Sequence, residues 1–321
     1  MMKCSIPVLV AAACAIFMSD SISAQENFPN RTIRIVVGFT AGSPTDVPAR
    51  FVAERLKSAL GVSVIVENKT GAAGWIAMED VLSKDPDGYN LFMCNFFDAI
   101  NLALRSQDRY SIDDMTPISM LYESYQLVAV RGDFPATNLK DFIEYAKKHP
   151  GGLTYGHTGT GSSYNIYMKQ FEKYAGISAV GVPYRGSPEM VQDLLTGRLD
   201  FGFVPTFLSM PHVSAGTIKA LGAASPDRLV GAETIPTLTE QGIPFAMQGW
   251  LSICGPKGLP EKIIEVLKKP IAETVTSESY VKSLGAPGMM LRPSTPEEAR
   301  RLIKNYYEDI RKIIQENNIK G

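Results

Sequence analysis

Beyond residue 24, this 321-residue chain lacks the features of a metalloprotein, a nucleic-acid binder or a membrane-spanning protein. The cysteines after that point, Cys94 and Cys254, belong to no Cys-x-x-Cys motif or Cys/His cluster, so the sequence predicts neither a metal nor a cofactor. The formal net charge of -1, without a lysine or arginine cluster, excludes a surface for nucleic acid. No apolar run there is long enough to cross a bilayer.

Enzymatic motifs are also scarce. No Gly-x-Ser-x-Gly elbow occurs, and the only histidines are His149, His157 and His212. The run from Gly156 to Ser163 has the spacing GxxxxGxS, but Ser162 stands where a P-loop needs lysine, so a P-loop nucleoside triphosphatase is excluded. We expect no enzyme, and a periplasmic hydrolase using His157 stays as an alternative because that residue lies in a candidate binding loop.

The first residues have the order of a secretory signal peptide. Lys3 precedes an apolar run from Ile6 to Met18, and small or polar residues follow up to Ala24. We therefore predict a signal peptide over residues 1–24, cleavage after Ala24 and an exported mature protein. The alternative is a lipoprotein cut before Cys14, although Ala11 stands where a lipobox normally carries leucine.

Strand and helix patterns alternate along the mature chain, which predicts an α/β fold with a largely parallel sheet. Two of the predicted strands are Ile118–Leu121 and Leu127–Val130, and helices dominate from Glu261 onward. Domain boundaries are expected within strands that cross between lobes, near Gln126–Val128 and Gly249–Ser252.

Cys94 and Cys254 leave two alternatives in an exported protein, a disulfide or a pair of buried thiols. One pair of cysteines is not a disulfide framework. We therefore expect buried thiols.

Three segments follow a predicted strand and open a predicted helix. They are Gly42-Ser43-Pro44-Thr45-Asp46, Thr158-Gly159-Thr160-Gly161-Ser162-Ser163 and Tyr184-Arg185-Gly186-Ser187. In the first, Gly42 permits a tight turn, Ser43 is the expected N-cap, Pro44 the first helical residue, and Asp46 falls three residues after the cap.

Unpaired N–H groups at such helix starts carry partial positive charge, so these ends are suited to hold an anion. In open α/β sheets, ligands bind at the carboxyl ends of strands. We therefore predict that a carboxylate is bound by N–H and hydroxyl groups from both lobes. The alternatives are ordinary helix starts, Asp46 in a capping box with Arg50 as its partner, and a solvated Arg185.

In these motifs the chain resembles the periplasmic solute-binding receptors of tripartite tricarboxylate transporters, often called Bug receptors. The motifs, in order, are IRIVVGFTAGSPTDVPAR, VIVENKTGAAG, DPDGYNL, LTYGHTGTGSS, VPYRGSPEMVQDLLTGRLDFGF, IKALGAASPDRL, IPTLTEQGIP and W-LSICGPKGLP. Together they span almost the whole mature chain.

The resemblance implies a type II periplasmic-binding fold, with two α/β lobes, two crossing strands and a hinged cleft. Residues 25–126 and 252–321 are expected to form lobe 1, and residues 127–251 lobe 2. The implied function is capture of a small organic carboxylate and its delivery to membrane permease subunits by a monomeric receptor. A ligand-sensing subunit of a membrane sensor kinase is the alternative.

Several positions depart from the family pattern and bear on the ligand. Ala41-Gly42-Ser43 replaces the usual Pro-Gly-Gly, Val204 replaces an Asp, and Asn95-Phe96-Phe97 stands where smaller polar residues are usual. Phe96, Phe97 and Tyr164 suggest a flat apolar wall, with core packing as the alternative, so an aromatic carboxylate such as terephthalate is favoured over citrate-like polyacids. The predicted ligand-binding residues are Phe39, Thr40, Ala41, Gly42, Ser43, Thr45, Asp46, Asn95, Phe96, Thr158, Gly159, Thr160, Gly161, Ser162, Ser163, Tyr184, Arg185 and Val204.

Overall fold

The computed structural model describes residues 28–105 and 109–319, so the predicted signal peptide and its lipoprotein alternative lie outside the described residues. Strands and helices alternate, as predicted. The strands are β1 (Ile33–Val37), β2 (Val64–Asn68), β3 (Asn90–Phe92), β4 (Met115–Arg131), β5 (Thr154–His157), β6 (Val180–Pro183), β7 (Phe201–Pro205), β8 (Ile218–Ala224), β9 (Gln248–Pro256) and β10 (Met289–Met290). The α-helices are α1 (Asp46–Leu60), α2 (Trp75–Leu82), α3 (Phe96–Leu104), α4 (Leu139–Lys148), α5 (Ser163–Ala175), α6 (Ser187–Leu195), α7 (Thr206–Ser214), α8 (Glu261–Val275), α9 (Glu278–Leu284) and α10 (Pro296–Glu316).

The sheet consists of two parallel groups joined by two long antiparallel strands. β1 pairs in parallel with β2 and β3, and β5 pairs in parallel with β6 and β7. Between them, β4 and β9 run antiparallel, from the pair Met115–Pro256 to the pair Tyr125–Gln248. This is the predicted fold, with two α/β lobes and two crossing strands. The lobe boundaries at 126/127 and 251/252 fall inside β4 and β9, and the division of the chain there stays a prediction.

One continuous strand replaces two predicted ones. The predicted strands Ile118–Leu121 and Leu127–Val130 are both parts of β4, a strand of 17 residues. The segment Glu123–Gln126 lies between the two predicted strands, and all four of its residues are buried within β4. Glu123, for example, accepts hydrogen bonds from Gln248 on β9 and from Tyr125. Cross-strand polar partners therefore allow the strand to continue.

Cys94 and Cys254 form a disulfide, so the expectation of two buried thiols was wrong. Cys94 follows β3, and Cys254 lies on β9 opposite Phe92. Both cysteines are fully buried. Pairing of β3 with β9 brings together two thiols separated by 160 residues, a proximity that the sequence spacing does not reveal.

The last helix connects the two lobes. α10 begins with a capping box, in which Thr295 and Glu298 exchange hydrogen bonds. It packs on α3, and its end reaches α5 of the other lobe. There the Asn317 side chain donates to Gln170 at 2.7 Å, and an ion pair joins α5 to α10. A single helix therefore contacts elements on both sides of the crossing strands.

Two helices were missed by the sequence analysis. α3 begins at Phe96 behind an Asn95–Asp98 capping box, and α7 follows β7 directly. The aromatic pair Phe96-Phe97 suggested a cleft wall and obscured the capping pattern. Across residues 28–105 and 109–319, no helix combines the length and apolarity needed to span a membrane.

Candidate functional site

The predicted binding segments lie at strand ends that converge on one stretch of β4. The first loop (residues 38–45) follows β1, the second loop (residues 158–162) follows β5, and the third loop (residues 184–186) follows β6. The Tyr122 hydroxyl donates to the carbonyl of Pro44 in the first loop at 3.4 Å. Four residues along β4, Gln126 accepts a hydrogen bond at 3.5 Å from Tyr164, directly after the second loop. The crossing strand thus brings both loops to one region.

The first loop offers free backbone donors, although its helix begins later than predicted. Gly42 adopts the expected left-handed turn, with φ of 78°. α1 runs from Asp46, so Pro44 precedes the helix, and the Thr45 side chain makes no capping bond. Ser43 makes the predicted capping contacts instead: its hydroxyl accepts from the Asp46 N–H at 3.3 Å, and its carbonyl accepts from Asp46 and Val47. Thr40 and Ala41 are exposed, and within the described chain their N–H groups have no acceptor.

Asp46 is buried behind the first loop, where it accepts hydrogen bonds from the loop and is not exposed to a ligand. Its carboxylate is fully buried and accepts from the Gly42 N–H at 2.8 Å, from Asn68 at 2.8 Å and from Arg50 at 2.8 and 3.0 Å. Burial raises the pKa of the Asp46 carboxyl, but hydrogen bonds from Arg50, Gly42 and Asn68 outweigh that effect and hold the pKa below its usual value. The pairing with Arg50, the alternative noted from sequence, is therefore correct.

The second loop also combines internal bonds with free donors. Gly159 and Gly161 both have positive φ, and their N–H groups donate to His157 and Asn165. Ser162 is the N-cap of α5 through the Asn165 N–H, whereas Ser163 is almost fully buried. Within the described residues, the N–H groups and hydroxyls of Thr158 and Thr160 have no partner. These two threonines are consequently the free groups of this loop.

The third loop carries one exposed cation. Tyr184 donates its hydroxyl to Asp193 at 2.9 Å, which fixes that ring against α6. The Arg185 backbone donates to Glu189, while its exposed side chain has no partner in the described residues. Ser187 opens α6, as predicted. Arg185 is thus available to a ligand or to solvent.

Residues 48–319 match the model of the tripartite tricarboxylate transporter family receptor. The chain belongs to this receptor family. It is 30% identical over 307 residues to a UPF0065 protein of Bordetella pertussis, covering 95% of each chain. The receptor also matches the solved structure of MatC from Rhodopseudomonas palustris with bound malate, at 27% identity and a TM-score of 0.73, covering 89% of this chain and 100% of that one. A second R. palustris protein, solved with adipate, matches at 28% identity and a TM-score of 0.75, covering 92% and 99%.

A row of aromatic rings lies beside the first loop of the receptor. The ring centroids of Phe39 and Phe97 are 5.5 Å apart, and those of Phe97 and Phe96 are 4.1 Å apart. Phe96 ends the row above Gly249 of β9, where a Cβ atom would lie 3.4 Å from its ring. Asn95 is buried, and its side chain caps α3, so it is not free to bind a ligand as predicted.

Val204, predicted as a ligand contact, lies in the apolar core of the second lobe. It lies on β7 opposite Leu127, is 1% exposed, and belongs to an apolar core with Met190 and Leu194. The side chain therefore stabilises the second lobe. The change from the family's Asp to Val204 adds an apolar core residue at this position.

Ser124 and Gln126 of β4 were not predicted, although they form the floor between the loops. A Cβ on Gly249 would lie 2.7 Å from the Ser124 hydroxyl, which places this serine beside Phe96. Ser124 and Gln126 are polar residues in an otherwise largely apolar strand, and this pattern could have identified them from the sequence as part of the site.

On the opposite face of the same strand, Glu123 and Tyr125 line a cavity of about 650 Å³ beside α10 that contains none of the predicted site residues.

The site's surroundings carry little uncompensated negative charge. Arg50 neutralises Asp46. Asp98 is buried at the start of α3, and burial raises its pKa to about 8 despite the opposing hydrogen bond from the Asn95 N–H. Burial therefore favours the protonated, uncharged form of Asp98 near neutral pH. No group of three or more His, Cys, Asp or Glu residues suited to a metal occurs within the described residues.

Proposed function

We propose that this receptor binds a small organic carboxylate between the first and second loops and delivers it to membrane permease subunits of a tripartite tricarboxylate-type transporter. The supporting observation is that free N–H groups of Thr40 and Ala41 and the free groups of Thr158 and Thr160 lie at strand ends of different lobes. Relatives solved with malate and adipate bind ligands of this class. The receptor is proposed to act in the periplasm as a monomer, after export by its signal peptide.

The ligand contacts are proposed to come from backbone N–H groups of the first loop and from both the N–H groups and the hydroxyls of Thr158 and Thr160. A bound carboxylate accepts from Thr40 and Ala41 in one lobe and from Thr158 and Thr160 in the other. The start of α5 adds the partial positive charge of a helix N-terminus. Because no protein carboxylate must be displaced and no strong ion pair broken, release to the permease stays possible.

Binding is proposed to shift the receptor toward a closed form by rotation of the lobes about β4 and β9. A ligand shifts this balance only by its extra affinity for the closed form. Groups from both loops are therefore needed, and the contacts of Pro44 and Tyr164 with β4 hold those loops near the axis of rotation.

Thr158→Val/Thr160→Val tests the second loop. Hydrogen bonds to charged groups contribute about 1.5–3 kcal/mol each, so we expect carboxylate binding to weaken at least tenfold, measured by calorimetry with adipate, malate and terephthalate. The melting temperature should not change, because neither hydroxyl has a partner in the described chain. Ser162→Ala would be a poorer choice, since it removes the cap of α5.

Thr239→Val, at another exposed threonine far from the loops in sequence, is the matched control and should bind as the wild type does. An unchanged affinity in the double variant would remove the hydroxyls of Thr158 and Thr160 from the proposed site. If no carboxylate in the panel raises the melting temperature of the wild type, the proposed function itself is wrong.

The row of Phe39, Phe97 and Phe96 favours a carboxylate with a flat apolar body, such as terephthalate. Offset aromatic pairs contribute about 0.5–1.5 kcal/mol beyond the burial of apolar area. Phe96→Leu keeps an apolar side chain and removes the ring face. We expect terephthalate affinity to fall roughly tenfold and adipate affinity less than threefold, as measured by calorimetry.

Tyr174→Leu, which replaces an aromatic ring 45% exposed on α5, is the control and should change neither affinity. Equal losses for terephthalate and adipate would show that Phe96 supports the fold of the site and does not select an aromatic ligand.

A further inference from the structure

The motif from Asn68 to Gly74 lies outside every predicted ligand loop, yet it contacts two of the elements that form the site. We call these residues the bracing segment. The segment begins with Asn68, the last residue of β2. β2 pairs in parallel with β1, which leads into the first loop, and β1 pairs on its other side with β3, which leads towards α3. The carboxyl ends of these strands meet at one edge, which places the bracing segment beside both elements.

Asn68 joins the two ends of the first loop through one amide group. Its Nδ2 donates to the carbonyl of Phe39 at 2.9 Å and to the Asp46 carboxylate at 2.8 Å. Asp46 in turn accepts from the Gly42 N–H at 2.8 Å. A continuous chain of hydrogen bonds therefore runs from the bracing segment to the tip of the loop.

The other end of the bracing segment contacts the same loop and α3. Asn101 on α3 donates to the carbonyl of Ala73 at 3.1 Å. A Cβ on Gly38 would lie 2.7 Å from the Cα of Gly74, and a Cβ on Gly74 would lie 3.6 Å from the Phe39 ring. Glycine at both positions lets the two backbones approach so closely.

We propose that Asn68 is a positioning residue for the carboxylate site. It contacts no ligand and fixes the first loop before binding, so that the N–H groups of Thr40 and Ala41 already point outward. A loop ordered in advance does not lose that conformational freedom on binding, which increases affinity. The inference rests on the proposed function, because the order of this loop matters for affinity only if the carboxylate binds there.

Asn68→Asp tests the role of the donors with little change in shape. The variant retains Oδ1, which accepts from Arg50 at 3.3 Å, and replaces the amide nitrogen that bonds Phe39 and Asp46. We expect the Gly42 amide in the ligand-free protein to exchange with solvent about tenfold faster or more, followed by NMR. Affinity for adipate and terephthalate should fall roughly tenfold in calorimetry.

Asn138→Asp is the matched control, because it likewise removes an amide donor to a carboxylate, that of Asp141 at 2.7 Å, but at the start of α4. This variant should change neither measurement. Asn68→Ser, smaller and uncharged, replaces Asn68→Asp if that variant does not fold. Unchanged Gly42 exchange, or faster exchange with unchanged affinity, would overturn the role of Asn68 while the proposed function stands. A wild type that binds neither probe would overturn the proposed function.

Discussion

Replacing Cys94 and Cys254 together with alanine is expected to lower the melting temperature by about 10 °C. A disulfide stabilises a fold mainly by restricting the unfolded chain, and this one joins residues separated by 160 positions. For a loop of that size the expected loss is about 5 kcal/mol. At roughly 2–4 °C per kcal/mol, the lower end of that range gives the expected shift. Thermal unfolding followed by circular dichroism measures the shift.

Two controls separate the crosslink from packing of the sulfur atoms. Cys94→Ala alone should melt close to the double variant, because either substitution opens the same loop. The wild-type protein melted in strong reductant should also approach that temperature. A double variant that melts within about 2 °C of the wild type would mean that the crosslink contributes little to stability.

Asp98→Asn is expected to stabilise the protein increasingly as the pH rises. Burial raises the pKa of the folded Asp98 carboxyl to about 8 from its ordinary value of 3.8. Below pH 4 the Asp98 carboxyl is protonated in both the folded and the unfolded protein, and its contribution to stability is fully present. As the pH rises toward 8, this carboxyl ionises first in the unfolded chain, so the free energy of unfolding falls. Each pH unit in this window costs the wild type about 1.4 kcal/mol relative to asparagine.

Urea unfolding of both proteins at several pH values between 5 and 8 measures this difference. Asparagine keeps an oxygen to accept from the Asn95 N–H, so the capping bond at 2.8 Å is retained. Asp85→Asn, at an exposed position, should follow the wild-type pH profile. A difference between Asp98→Asn and wild type that stays constant with pH would mean that Asp98 is not held protonated in the fold.

Local sequence patterns predicted most of the elements that carry the site. Helices α5 and α6 begin at Ser163 and Ser187 as expected, and Gly42 forms the predicted turn. The missed helix α3 has a local signal as well, since Asn95 and Asp98 stand at capping-box spacing. Its two phenylalanines were interpreted as a cleft wall, and they do form part of an aromatic row.

The errors arose where a partner lies far away in the chain. β4 continues through its polar residues because β9 supplies hydrogen bonds, and Cys94 meets Cys254 only because β3 pairs with β9. Asp46 was placed among the ligand contacts because it lies in a loop after a strand, and Val204 because it replaces an Asp of the family pattern. The Asp46 carboxylate instead accepts hydrogen bonds from Asn68 and Arg50, and Val204 is packed in the core of the second lobe.

The sequence by itself determined the order of strands and helices, the glycine turns and the resemblance to the receptor family, because each depends on neighbouring residues or on motif order. Only the tertiary structure decided which polar groups are already paired. A hydrogen bond to Asp46 from a residue on β2 removes that carboxylate from the site, and the absence of such partners leaves Thr158 and Thr160 free within the described residues. Such pairing depends on contacts between distant segments, and these form only when the chain has folded.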